Sequence, residues 1–179
     1  MRVVTTRVAS DLTGLSPNKL REWSSRRALI PPDIRPKSQG SPAKYSWQTI
    51  LLLRIAVTLR DRFHLELQAH REVFASLRGG LRGTSFIVLW GKSLVIHADH
   101  SWTWVDDAQV GPLASDAIFI RLAPHLDVLS MGFALPRPSN SPGQLDLFPA
   151  QVVVETPLSA QAPAPPPVSR PADRRRRSA

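Results

Sequence analysis

Cysteine is absent from the 179 residues, which removes disulfide frameworks, thiol nucleophiles, redox relays and thiolate-bound zinc or iron–sulfur sites together. Long apolar runs are missing too. The most apolar stretch, Thr49 to Leu59, is broken by Arg54, so no bilayer span is expected. The opening MRVVTTRVASDLTG has no apolar stretch of signal-peptide length, and the chain is read as soluble and cytoplasmic, without a membrane partner. No phosphate loop, nucleophile elbow, paired carboxylates or glycine-rich dinucleotide turn appears. The expectation is a non-enzyme that needs no cofactor.

Acidic residues are scarce beside basic ones: 14 Asp and Glu stand against 23 Lys and Arg, for a formal charge of +9. Residues 1–78 hold 14 basic and six acidic side chains, a net +8; residues 79–135 are net −2 and residues 136–179 net +3. A field of that sign, confined to one segment, captures polyanions, which makes double-stranded DNA the first partner to consider. Apolar residues make up 42% of the chain, enough for a core, but ten of the 17 prolines follow Leu135. Three regions are therefore expected: a basic segment 1–78, a small unit 79–135 and a disordered Pro-rich tail 136–179.

Within the first region, Thr5 and Thr6 are cap-type residues before a short helix over Arg7 to Leu12, with Val8, Ala9 and Leu12 on one face. Gly14 and Leu15 break it. Ser16 can cap and Pro17 can open a second helix running to about Arg27. Leu20 and Trp23 form its apolar face and leave Asn18, Lys19, Arg21, Glu22, Ser25 and Arg26 on the other. Two short helices joined by a tight turn, the second rich in long donors, suit entry into a major groove. Pro31 and Pro32 close this unit, and a basic loop with Arg35, Lys37 and Lys44 leads to Tyr45. Strongly apolar spacing then predicts a helix over Trp47 to Arg62 and another carrying Leu65, Ala69, Val73 and Leu77, stopped by Gly79-Gly80.

The run Val8-Ala9, Gly14-Leu15-Ser16-Pro17, Leu20-Arg21-Glu22-Trp23, Leu29-Ile30-Pro31-Pro32 and Lys44-Tyr45-Ser46 resembles the winged helix-turn-helix of MerR-type regulators, over about Val3 to Leu77. The resemblance implies that Pro17 to Arg27 is the recognition helix, that Arg21 contacts a phosphate or base, and that Lys44 with Tyr45 lies in a wing against the DNA backbone. A homodimer is expected because one winged domain spans few base pairs, although the long helix through which the family dimerises is represented here only by Leu65 to Leu77. Two positions depart from the family's pattern. Ala28 stands where glycine is usual before Leu29, and Ala43, followed by Lys44, stands where arginine is usual; a lysine there supplies a point charge in place of a fork.

In the middle region, Ser85 to Trp90 and Leu94 to His97 read as a hairpin turned at Gly91-Lys92. Trp102 to Val105 and Ala117 to Leu122 supply two more strands, and Pro124 opens a short helix to about Ser130. His97, Asp99, His100 and Asp107 form the one group of metal-ligand type and are read as polar turn residues, with no metal expected. The fold class is therefore α+β: an N-terminal winged helix-turn-helix, a small β-hairpin-rich unit with a short helix, and the tail.

The tail holds an apolar island, Gln144-Leu145-Asp146-Leu147-Phe148, between Pro142-Gly143 and Pro149. This pentapeptide resembles the motif by which bacterial replication and repair proteins dock onto the sliding clamp. In that mode Leu147 and Phe148 would fill an apolar pocket and the Gln144 amide would be hydrogen-bonded at its rim. The expected function is a DNA-binding, MerR-like transcriptional regulator, nucleoid-associated when bound. The alternative is a replication, repair or recombination accessory factor recruited by the clamp peptide. A ligand-gated sensor acting through residues 84–131 is a third reading.

Overall fold

The computed structural model describes residues 2–36, 38, 41–109 and 116–138. A strand Val3–Thr5 (β1) leads into helix Thr6–Thr13 (α1), and helix Pro17–Arg21 (α2) continues as a π-helical turn, Glu22–Arg26. Strand Lys44–Ser46 (β2) runs directly into helix Trp47–Phe63 (α3), and a 3-10 turn Leu67–His70 precedes helix Arg71–Arg82 (α4). Strands Lys92–His97 (β3), Trp102–Asp106 (β4) and Ala117–Arg121 (β5) and helix Ala123–Phe133 (α5) complete the described chain. Five helices with two small antiparallel sheets among the described residues make the class α+β.

α3 is the centre because its sequence allows nothing else. The Ser46 Oγ accepts from the Thr49 N–H and caps it, and Ile50, Leu51, Leu52, Leu53, Ile55 and Ala56 leave no face apolar-free. A helix apolar nearly all round must be enclosed. α1, α4 and α5 each pack on it, and one core continues from Ala9 through Leu59, Phe74 and Leu94 to Phe133. Residues Met1–Asn140 group as one compact unit, so the basic segment and the β-rich region share that core. Arg2 donates to the carbonyls of Phe133 and Ala134, tying the start of the described chain to the end of α5.

β1 and β2 pair antiparallel, Val4 opposite Tyr45, and an isolated bridge Ile34–Lys44 extends this ribbon toward the intervening loop. Asp33 fixes the loop's base: one carboxylate oxygen accepts from the Ser46 N–H at 2.6 Å and the other from Arg78 at 3.2 Å. In the second sheet β3 lies between β4 and β5, with Leu94 opposite Trp104 and Ile120. Its four residues Ser93 to Ile96 are all buried.

Three local expectations are corrected. Gly79-Gly80 does not stop α4; both lie inside it, and at position 80 the glycine answers to packing, since a β-carbon there would come within 2.5 Å of the Trp102 ring. Phe86–Leu89 is a 3-10 turn, not a strand. Phe86 and Leu89, three apart, point inward while Ile87 and Val88 are exposed, a period of three where a paired strand would show two. The hairpin consequently turns after His97 rather than at Gly91-Lys92. The Pro-rich tail expected from residue 136 lies outside the described residues beyond Pro138.

Candidate nucleic-acid interface

Ser16 starts α2, its Oγ accepting from the Lys19 N–H, and Pro17 occupies the first turn, where its missing donor costs nothing. Leu20 and Trp23 anchor the helix in the core. That anchoring turns Asn18, Arg21 and Ser25 outward, all exposed. The next turn is π-helical, the Arg27 N–H bonding back to the Glu22 carbonyl at 2.8 Å. With bonding to the fifth residue, side chains five apart stand nearly above one another, as side chains four apart do in an α-helix. Arg26 is thereby brought to the side of Arg21.

Both arginines line a groove of about 1120 Å³ that runs from α2 to the first turn of α1 and the loop before β2. Arg7 of α1 lines it as well, and its described lining contains three arginines and no carboxylate. None of the three forms a salt bridge among the described residues. The first turn of α1 adds its own partial positive charge: the Thr5 side chain makes no capping bond, so the leading N–H groups of that helix remain for another acceptor.

Lys19 and Glu22 fall on a different side. The Glu22 carboxylate is held at 3.2 Å by Lys19 and at 2.7 Å by Arg27, and hydrogen bonding from Lys19 above all pushes its pKa below the ordinary carboxyl range. The neighbouring Trp23 ring is covered by the Arg60 guanidinium, 4.9 Å from its centroid. Thus the outward residues of the expected recognition helix divide into an unpaired set (Asn18, Arg21, Ser25, Arg26) facing the groove and a paired set (Lys19, Glu22).

The loop side is mixed. Strand alternation puts the Lys44 side chain out and Tyr45 in. Tyr45 lies at the floor of the groove but is fully buried, and its hydroxyl is hydrogen-bonded to Ser24 at 3.1 Å, which locks β2 against the π turn. Lys37 and the peptide Gln144 to Phe148 lie outside the described residues. Arg7 is the groove residue the sequence reading missed; its signal was a basic side chain in the first turn after two cap-type threonines.

Arg54 does not belong to this surface. It is half-buried, donates to the Leu12 carbonyl at the end of α1, and its pKa is lowered by burial. A cation at a helix C-terminus is favourable, and here it fixes where α1 ends and the turn to α2 begins. His125 of α5 is buried nearby with an unpartnered Nδ1; burial first, then the charges of Arg54 and Arg62, pushes its pKa down to about 4.

His97, Asp99, His100 and Asp107 are not gathered: Asp107 accepts from Ser93, Asp99 accepts from the Ser101 N–H, and His97 pairs with Thr103. Among the described residues no three His, Asp or Glu side chains are placed to share a metal ion. No helix among them is long and apolar enough to cross a membrane. No protein-family model matches the chain, and no curated protein matches its sequence.

Proposed function

We propose that the chain is a DNA-binding protein, a transcriptional regulator whose α1–turn–α2 pair and the loop before β2 act as a winged helix-turn-helix of the MerR kind. α2 enters the major groove, Arg21 and Arg26 reach phosphates or base edges, and Arg7 with the first turn of α1 receives the adjacent strand. Lys44 meets the backbone from the start of β2, and two chains bind as a homodimer over two half-sites in the cytoplasm. The observation that carries this reading is the groove with three unpaired arginines and no carboxylate among its described lining. Duplex DNA is the polyanion whose spaced phosphates would satisfy donors set along a helix and a flanking loop.

The test is a competition binding series on duplex DNA with single variants. Arg21→Ala is expected to weaken binding about tenfold, as for loss of one charge-assisted contact. Lys19→Ala is expected to cost much less, because Glu22 already engages that lysine. Equal losses, or none, would refute the assignment of the groove-facing set.

A second reading rests on Gln144-Leu145-Asp146-Leu147-Phe148. In it the same DNA-binding face serves a replication or repair accessory factor brought to DNA by the sliding clamp. Capture of the clamp by the full chain but not by Leu147→Ala with Phe148→Ala favours it, and equal capture removes it.

A further inference from the structure

Behind α3, away from the residues of the arginine groove, a cavity of about 280 Å³ opens under the turn between β3 and β4. Its floor reaches the core: Leu59, Val73, Phe74 and Ile96 line it and are each buried, and Leu65 and Ile118 continue the apolar wall. Among its described lining residues four are titratable, His70, His97, His100 and Asp116, and none is a lysine or arginine. Its volume falls just below the range for small-molecule sites, roughly 300–1,000 Å³, which suits a ligand of a single ring, and an apolar wall with a few convergent polar groups is their usual construction.

The polar edge is built rather than incidental. His70 and His100 bring their Nδ1 atoms to 3.2 Å, with ring centroids 5.0 Å apart. At that distance one Nδ1 donates and the other accepts, so a single proton is shared and each ring keeps its Nε2 for another partner. A second proton would set two N–H groups against each other. Burial, then the neighbouring His100, also pushes His70 below the ordinary imidazole pKa. His100 is held there at φ 66°, a left-handed backbone that is strained for a residue bearing a side chain. The turn that holds it is closed by His100 N–H to the His97 carbonyl and His97 N–H to the Ser101 carbonyl. His97 is itself occupied through Nε2 with Thr103.

We propose that this cavity binds a small neutral molecule with a ring-sized apolar body and one hydroxyl head, a phenol in chemical type. The body fills the space between Leu59, Phe74 and Ile118, and the head is received at the His70–His100 edge. Charge decides the class. With one carboxylate at Asp116 and no lysine or arginine among the described lining, a carboxylate ligand is disfavoured, whereas a hydroxyl both donates to and accepts from the imidazole edge.

The test uses the full chain without DNA, so its outcome is independent of the DNA reading. p-Cresol and benzoate are titrated by calorimetry against the wild type, His100→Gly and Ala98→Phe, with circular dichroism confirming the fold. Glycine suits the left-handed backbone at 100, and Ala98 is exposed at the cavity's edge, so both variants are expected to fold. Saturable p-cresol binding is expected in the wild type, about tenfold weaker in His100→Gly, the loss of one hydrogen bond, and absent in Ala98→Phe, with benzoate bound far more weakly throughout. No saturable p-cresol binding by folded wild type, benzoate bound as tightly as p-cresol, or unchanged affinity in a folded variant would overturn the proposal.

Discussion

Two concave surfaces of one unit make opposite use of polar side chains. The groove beside α2 is large, and its three arginines have no carboxylate against them among the described lining. The cavity under the β3–β4 turn is about a quarter of that volume, and its described lining has three histidines, one Asp and no fixed cation. Unpaired charge acts over a Debye length and suits capture of an extended polyanion. Neutral edges on an apolar floor act only on contact, and suit a ligand that fits. Both depend on α3, whose burial keeps Arg54 on the Leu12 carbonyl on one side and Leu59 under the cavity on the other.

The comparison is broken most severely by removing the charge. Arg7→Ala, Arg21→Ala and Arg26→Ala together are expected to cost about 3–4 kcal/mol of duplex affinity, at roughly 1 kcal/mol or a little more for each contact, with thermal stability unchanged because all three side chains are outside the core. Acid tests the shared framework next. His125 stays neutral in the fold down to about pH 4, while the unfolded chain takes up that proton near pH 6.5. The unfolded state therefore binds more protons between those values, and stability falls as pH drops through that window by about 3 kcal/mol in all. Denaturant midpoints measured from pH 7 to 4 should show the fall in the wild type and lose most of it in His125→Leu.

Gly80→Val separates the two halves more finely. Its β-carbon meets the Trp102 ring, and overpacking of that kind costs about 2 kcal/mol. Chemical denaturation should register the loss while the folded fraction keeps its DNA affinity. Smallest is Tyr45→Phe, expected to remove about 1 kcal/mol of stability with the Ser24 hydrogen bond and to leave DNA binding unaltered, whereas a tyrosine touching phosphate would lose affinity.

What the sequence made legible were features with local causes. Ser16-Pro17 as a helix start, Leu20 and Trp23 as its inward face, the Trp47 helix and the strands at Trp102 and Ala117 all stand where spacing and capping place them. What escaped depends on distant partners. Gly80 reads as a helix stop until Trp102 is seen to need its space, and a five-residue apolar run such as Phe86 to Trp90 has no periodicity long enough to separate a strand from a 3-10 turn. The π turn at Glu22–Arg26 has no sequence signature here, yet it aligns Arg26 with Arg21. Of the site residues, exposure of Asn18, Arg21 and Arg26 followed from the helix wheel. The division of Lys19 from them came only with its pairing to Glu22.

The most direct measurement is fluorescence anisotropy of the full chain on a short labelled duplex across a salt series, for the wild type and the Arg7, Arg21 and Arg26 triple-alanine variant. A log–log salt slope that is steep in the wild type and shallower by about 3 in the variant is expected, since each phosphate contact contributes about 0.9. A flat slope, or the same slope in both proteins, would contradict the claim that these arginines form the DNA-binding face.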